Sequence, residues 1–425
     1  MLVPARVSIN ASVVPENKIE ADAITLELGK WKLPKPEAKI KGYVSSQAAM
    51  VHRVSLTDYE KREIVNHPVV FTVGEMEAKQ LECHEERYFT DEDGAYMVSP
   101  GDHIGFQYEV VQKVGEGSYA DVLECIDKSS EKRVVVKMNK IRKTNQYAEA
   151  MMLMQIRELS KGENPYFVNV LNYAHFRNHF FIVLDKMEMD LKHYIYNVKK
   201  PSLNEGARMM TSVLEALAFM KFHGIIHGDL KPSNILLNLD HPFDLKVCDF
   251  GLSRMVSEAN GNEIYQSRFY RAPEVFCRGP LTPAIDMWSF GLIIAEMYLG
   301  KPYFDGFSDF DQFALIQQYL GYPPLSYFQK CRKMYKFFTP AGYAIHCRIK
   351  QLPFTGERYL EIDPLYALEN PGRLPPGSTP FCDDFPKAEQ ADLCDFLEKC
   401  LVWEGKKRIT PLFAFNHPLF SVKLF

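Results

Sequence analysis

The nine cysteines of this chain form no C-x-x-C pair; they lie scattered from Cys83 to Cys400. That spacing speaks against a zinc site and a disulfide framework, and fits reduced thiols in cytosol or nucleus. Long apolar runs are missing too. The nearest, "GLIIAEMYLG", is too short to span a bilayer and contains Glu296, so no membrane partner is expected. The opening "MLVPARVSINASVV" lacks a charged start followed by an apolar core, so no secretory signal is expected, and the sequon Asn10-Ala11-Ser12 reads as chance. A basic excess is absent as well. Lys and Arg number 50 against 54 Asp and Glu, for a net charge of -4, which disfavours nucleic acid as the main partner. What is present is an ordinary globular composition, 46% hydrophobic and 24% charged, over 425 residues. That length exceeds one compact core and implies two or three units.

Residues 1–44 are mixed, with Pro34 and Pro36 and scattered charge, and read as a tail or loosely docked arm. In the block 45–107, Thr57 with Glu60 three places on predicts a capping box opening a short helix. "PVVFTV" predicts a strand, and "YFTDEDGAYMV" an acidic turn around Asp93-Gly94. The block is too small for a large core of its own, so it is expected to pack on the segment beginning at Tyr108. From Tyr108 the texture changes. "YEVVQKVGEGSYADVLECI" alternates around two glycines as a hairpin does, and "RVVVKM" and "FFIVL" are further strands. Helices then dominate. Ser202 and Glu205 form a second capping box, Met210, Val213, Leu214, Leu217 and Met220 repeat at helical spacing, and Gly224 ends the run. "AIDMWSFGLIIAEMYLG" is apolar nearly all round and reads as a buried helix. Residues 340–386, rich in Pro, Gly and aromatics, read as an irregular insert. The fold class is α+β, a small strand-rich lobe followed by a large helical one.

Several chemistry-bearing residues punctuate this frame. Gly115-Glu116-Gly117-Ser118-Tyr119-Ala120 lies between strands, where glycines let backbone amides approach phosphates. By itself it is more readily a tight turn. The glycines do not lead from a strand into a helix, so a dinucleotide site of the Rossmann kind is disfavoured. Lys137 ends "VVVK" and could reach a phosphate as a point charge, or simply sit at a strand end. Glu149, on the next predicted helix among apolar neighbours, wants a cation, and Lys137 is the candidate. Asp229, Lys231 and Asn234 share "DLKPSN", and Asp249 opens "DFG". Two carboxylates and an amide suit Mg-nucleotide chemistry: Asn234 and Asp249 can hold Mg²⁺ through oxygen, and Asp229 can orient a hydroxyl and take its proton. Each motif alone has a bland reading. The ordered set, closed by "APE" at Ala272–Glu274, does not.

That set resembles the eukaryotic protein kinase signature, in order, over residues 108–421, with an N-lobe at 108–187 and a C-lobe at 188–421. The resemblance implies ATP and Mg²⁺ as cofactors and protein substrates. By position it places Val114, Val122, Val135 and Leu236 around the nucleotide, with the glycine loop Gly115 to Ala120. Asp185 to Met187 becomes the hinge that reads adenine, Leu184 falls near the gatekeeper, and Asp190 falls at the ribose. Asp286 resembles the buried Asp that holds the catalytic loop, and Glu274 with Arg408 the ion pair of the lower lobe. "QSRFYRAPE" resembles the CMGC group. With "FRNH", Phe176 to His179, and the acidic block ahead of Tyr108, the chain is similar to dual-specificity tyrosine-regulated kinases of the second class, the DYRK family. The block 45–107 then implies an accessory region docked on its own kinase domain. A monomer in the cytoplasm, with the nucleus as an additional compartment, is the expectation.

Three positions depart from that pattern. Gly228 stands where other kinases have Arg and this family usually Cys; the neighbouring Asp, Lys and Asn remain. Ser233 replaces a Glu that would pair with a basic residue upstream of the target, predicting weaker selection for Arg there. The family's activation-loop Tyr stands two places before "QSR", and its phosphate is held by the arginines of the motif. Here Ile264 occupies that place and Tyr265 comes one residue later. A one-residue step in extended chain reverses the side chain's face, so either Tyr265 is modified less readily or Arg268 and Arg271 hold a different acidic group. An active Ser/Thr kinase, with Tyr autophosphorylation as an added capacity, is the expectation. The alternative is a pseudokinase scaffold, motivated by Ala120, Gly228 and Tyr265.

Overall fold

The computed structural model describes residues 42–44, 47, 51–52, 55–79, 85–141, 147–162, 164–259, 265–321, 323–324, 331–333, 336–337, 346–351, 358–363 and 390–421. They fall into two compact units. The first holds those up to Asn164 together with Val168–Lys186, and the second holds Pro165–Phe167 and those from Met187 on.

In the first unit, helix α1 (Asp58–Glu63) starts with the expected capping box: Thr57 accepts from Glu60 N at 3.2 Å, and the Glu60 carboxylate accepts from Thr57 N at 2.9 Å. Beyond it lies a six-stranded antiparallel sheet: β1 (His103–Ile104), β2 (Tyr108–Glu116), β3 (Ala120–Asp127), β4 (Lys132–Asn139), β5 (Val170–Phe176) and β6 (His179–Asp185), in the order β1-β2-β3-β4-β6-β5. Helix α2 (Ala148–Leu159) lies between β4 and β5 in sequence. Leu56, Ile64, Val70, Val73, Phe89 and Tyr96 share one core with Tyr108, Val110, Leu123, Val134, Val136 and Phe181. Apolar residues ahead of Tyr108 thus complete the face of the sheet, as a block too small for its own core requires.

The two residues between β5 and β6, Arg177 and Asn178, both have positive φ, 48° and 66°, the signature of a tight type I′ hairpin. That turn aims Arg177 at the accessory block. Its guanidinium donates to Glu63 at 2.9 Å, to Glu60 at 3.3 Å and to the Tyr96 hydroxyl at 3.0 Å, and lies 3.8 Å from the Phe89 ring centroid. Glu60 also accepts from Lys79 at 2.6 Å and bonds His103 at 2.9 Å. Among the described residues, Glu60, Asp102 and His103 are the one group with metal-ligand spacing. The lysine and arginine already neutralise it.

Three sequence expectations change here. "PVVFTV" forms a strand only at Val69–Val70, paired with Tyr43–Val44, because Phe71 N and Thr72 N both turn to Phe106 O at 2.9 and 3.1 Å. Tyr43 and Val44 therefore belong to a strand pair, not to a tail; residues 1–41 lie outside the described residues. The lobe boundary also shifts. Pro165–Phe167 belong to the second unit, where Val247 N donates to Tyr166 O at 2.8 Å and the Phe167 ring meets Phe219 and Phe250 edge-on.

In the second unit, helix α3 (Leu203–His223) starts at the Ser202–Glu205 capping box and stops at Gly224, whose φ is +70°. Helix α4 (Ala284–Leu299) is buried along all its length from Ile285 to Met297, as its all-round apolar sequence predicts. Helix α5 (Asp309–Leu320) is capped by Ser308. Arg408 donates to both oxygens of Glu274 at 2.6 Å and to Ala284 O at 3.0 Å, the expected ion pair. Within the insert at 340–386, His346–Gln351 pairs antiparallel with Arg358–Asp363, so that part is regular; the remainder lies outside the described residues.

Candidate active site

In the first unit, the glycine loop is the turn of the β2–β3 hairpin. Gly117 N donates to Ala120 O at 2.9 Å, and a Cβ on Gly117 would stand 2.9 Å from that same oxygen, so the turn needs glycine there. Val114 and Tyr119 are exposed, while the Ala120 methyl is buried in the lobe. Ala120 stands where the usual kinase glycine pattern has a third glycine, and it adds its methyl on the core side. Lys137, on β4, meets Glu149 of α2 at 2.5 Å, and the Glu149 carboxylate is largely buried. Val122 lies opposite Lys137 and Val135 opposite Leu184 in the sheet. Asp185 spends its carboxylate on Asn169, at 2.8 Å to the backbone N and 3.1 Å to Nδ2.

In the second unit, Asp286 of α4 anchors the catalytic loop by accepting from His227 N at 2.8 Å and Gly228 N at 3.0 Å. Burial pushes the Asp286 carboxyl above its ordinary range, with His227 and the two backbone donors opposing. His227 is a second support: its Nδ1 accepts from Asp229 N at 3.1 Å, its Nε2 donates to Cys248 O at 3.0 Å, and its ring meets Phe250 of the DFG edge-on. Asp229 lies in this frame with Lys231 Nζ at 2.6 Å on one oxygen. Asn234 Nδ2 donates to the Asp229 carbonyl at 2.8 Å, which spends the amide nitrogen and leaves the oxygen, the atom a hard cation takes. Asp249 sits at φ +63°, a left-handed conformation uncommon for a non-glycine residue. Leu236 lies opposite Asp190 in a small sheet, and Asp190 caps the short helix after it by accepting from His193 N at 2.7 Å. Met187 Sδ accepts from Asn238 Nδ2 at 3.8 Å. The donor set and the glycine turn fit Mg-nucleotide chemistry.

Sequence reasoning missed Ser267 and Asp309. The Ser267 backbone N and Oγ both donate to Asp229 Oδ1, at 2.7 and 2.8 Å, and Lys231 reaches Ser267 Oγ at 3.1 Å. "QSR" marked the place, but nothing local tied that serine to an aspartate 38 residues earlier. Gln266, at φ +62°, bonds Ile285 O and Ser289 through its side chain, and its own carbonyl accepts from Arg271 Nε and Nη2 at 3.2 and 3.0 Å. Arg268 and Arg271 converge on Asp309, at 3.3 and 3.0 Å. Tyr265 is 1% exposed. Ile264 lies outside the described residues.

The family described as protein kinase domain matches residues 108–420, and such domains use ATP with Mg²⁺. The chain is 32% identical over 382 residues to dual specificity tyrosine-phosphorylation-regulated kinase 4 of Homo sapiens, a match covering 88% of this chain and 69% of that protein. Kinase 3 of the same name from Macaca fascicularis is 31% identical over 402 residues, 90% of this chain and 68% of its own length. The Caenorhabditis elegans kinase mbk-2 is 31% identical over 388 residues, 88% of this chain but only 46% of that longer protein. The glycine turn, the Lys137–Glu149 pair and the braced Asp229 loop therefore belong to a serine/threonine protein kinase of the CMGC group and the DYRK family.

Proposed function

We propose that this kinase transfers the γ-phosphate of ATP to serine or threonine hydroxyls that stand directly before a proline, using the residues of this site. The observation that carries the reading is Asp229, braced by Asp286 through the loop backbone and contacted by Lys231 and Ser267. Asp229 positions the acceptor hydroxyl and takes its proton, and Lys231 steadies the transferring charge. Lys137, held by Glu149, and the glycine turn at Gly115 to Ala120 would hold the phosphates, and Asn234 and Asp249 would hold the metal. Bound Mg-ATP supplies the phosphoryl group. The Asp185–Met187 backbone would take the adenine and Asp190 the ribose.

The proline preference rests on Gln266. Its carbonyl is consumed by Arg271, so it does not accept from an incoming amide N–H, and proline has none to satisfy. Ser233 offers no carboxylate for an upstream arginine. We further propose that residues 45–107 dock on the kinase domain that begins at Tyr108, as part of one monomeric enzyme, supported by the core they share with its sheet and by Arg177.

The test is transfer of labelled phosphate with Mg²⁺ to a degenerate Ser/Thr peptide library. Wild type should label peptides with Pro after the acceptor and show little selection for Arg upstream. Asp249→Asn should lose activity by roughly a hundredfold or more. Equal labelling by both proteins would favour the scaffold reading, and strong upstream Arg selection would contradict the role given to Ser233.

A further inference from the structure

Two departures from the DYRK pattern, Gly228 and the displaced Tyr265, meet in space. A Cβ on Gly228 would stand 3.0 Å from Tyr265 Cδ1 and 3.0 Å from Leu252 O, and Gly228 has φ +80°. The tyrosine ring therefore occupies room that any side chain at position 228 would need. The ring is 1% exposed. A phosphate there would carry close to two charges into a place without water, at a large desolvation cost. The seat fits the unmodified tyrosine.

The arginines that the family pattern assigns to that phosphate are engaged elsewhere. Asp309 Oδ1 accepts from Arg268 Nε at 3.3 Å and from Arg271 Nη1 at 3.0 Å. Arg268 Nη1 also donates to Phe307 O at 3.0 Å, and Arg271 to the carbonyls of Tyr265 and Gln266. Asp309 is the first residue of α5, where the helix dipole favours a carboxylate. One turn on, Gln312 Nε2 donates to Phe269 O at 3.2 Å, tying the same helix end to the same segment. That segment supplies Ser267 to Asp229, and Gln266 N donates to Gly228 O at 2.6 Å. A lone exposed ion pair contributes little. Here the Asp309 carboxylate is half exposed, but the Arg271 side chain is only 12% exposed and lies against the Phe276 ring, so loss of its anion leaves a largely buried guanidinium with carbonyl partners alone.

We propose that Asp309 is a positioning residue that serves as the built-in anion for Arg268 and Arg271, so that the 265–271 segment seats Asp229 without a phosphate on Tyr265. This rests on the kinase reading. It removes a step from activation: the acidic group is encoded in the chain instead of being added to it.

The full chain, produced in bacteria and treated with phosphatase, is checked by intact mass and phosphopeptide mapping and assayed beside Tyr265→Phe, Asp309→Asn, Asp309→Glu and Asp249→Asn. Phosphatase-treated wild type and Tyr265→Phe should keep kcat within about threefold of untreated protein. Asp309→Asn should lose roughly 10- to 100-fold in kcat with KM for ATP moved by less than about threefold, and Asp309→Glu should recover most of the loss. The proposal is overturned if dephosphorylation or Tyr265→Phe abolishes activity, or if Asp309→Asn keeps the wild-type kcat. Should Asp309→Asn melt early, loss of activity in phosphatase-treated wild type or in Tyr265→Phe still overturns the proposal, and the kcat of Asp309→Glu still reads the carboxylate at this place. A wild type no faster than Asp249→Asn would instead sink the kinase reading itself.

Discussion

Asp229 shows what a single side chain can hide from sequence. Its spacing to Lys231 and Asn234 was legible because all three share one loop, and the structure brings them within 2.6 and 3.4 Å of its carboxylate. Its other oxygen is held by Ser267, far along the chain, and no local pattern reports such a pairing. Gly228 was legible as a departure but not as a contact. Its positive φ explains why glycine suits the place, and the Tyr265 ring explains why the place is crowded. Gly224 is the internal control, since its φ of +70° is similar but a Cβ there would meet nothing within 4 Å. Gly224→Ala should cost only the left-handed backbone strain, about 1 kcal/mol. Gly228→Ala should cost more, about 2–3 kcal/mol, because the new methyl presses on Leu252 O and Tyr265. Denaturant unfolding of the two variants measures the difference, and equal losses would remove the crowding argument.

At the scale of elements, caps and strands were read well and their burial was not. Both capping boxes form, and α3 ends at the expected glycine. The strands "RVVVKM" and "FFIVL" form as well, since alternation and β-branching are local signals. The strand expected over "PVVFTV" shrinks to two residues, because a backbone partner at Phe106 is a tertiary fact. The two capping glutamates differ in the same way. Glu205 is a surface cap paired with exposed Lys199. Glu60 caps α1 while buried among Lys79, His103 and Arg177. Burial works to raise the Glu60 carboxyl, and the bonds from His103 and Lys79 outweigh it, holding it well below the carboxylate range. Glu205→Ala should therefore cost about 0.5–1 kcal/mol, the value of a cap. Glu60→Ala should cost about 3–5 kcal/mol, because it leaves a buried lysine and a buried arginine short of charge. Thermal unfolding of both variants checks the contrast, and a loss at Glu60 no larger than at Glu205 would show that the cluster adds nothing.

For the molecule as a whole, the accessory block and the sheet are joined by the buried ionic cluster, so the cluster should govern how stability depends on pH. Asp102 and His103 pull in opposite directions. Burial pushes the Asp102 carboxyl up to about 6, against the His103 backbone donor and Arg177. Burial also pushes the His103 imidazole down to about 4, against its bond to Glu60. An acid with a raised folded pKa contributes stability that is present at low pH and lost as pH rises through about 6. A histidine with a lowered folded pKa contributes stability that is present above its ordinary value near 6.5 and lost as pH falls through about 4. Between pH 6.5 and 4, acidification therefore gains stability at Asp102 and loses it at His103, and the two offset. Asp102→Asn removes the first and keeps an oxygen to accept from His103 N. The variant should be more stable than wild type near pH 7.5, by on the order of 1–3 kcal/mol, and its advantage should vanish by about pH 4.5. The quantity to follow is the difference in Tm between the two proteins across that range. A constant difference would mean that Asp102 does not titrate in this window, and an advantage that grows on acidification would reverse the assigned sign.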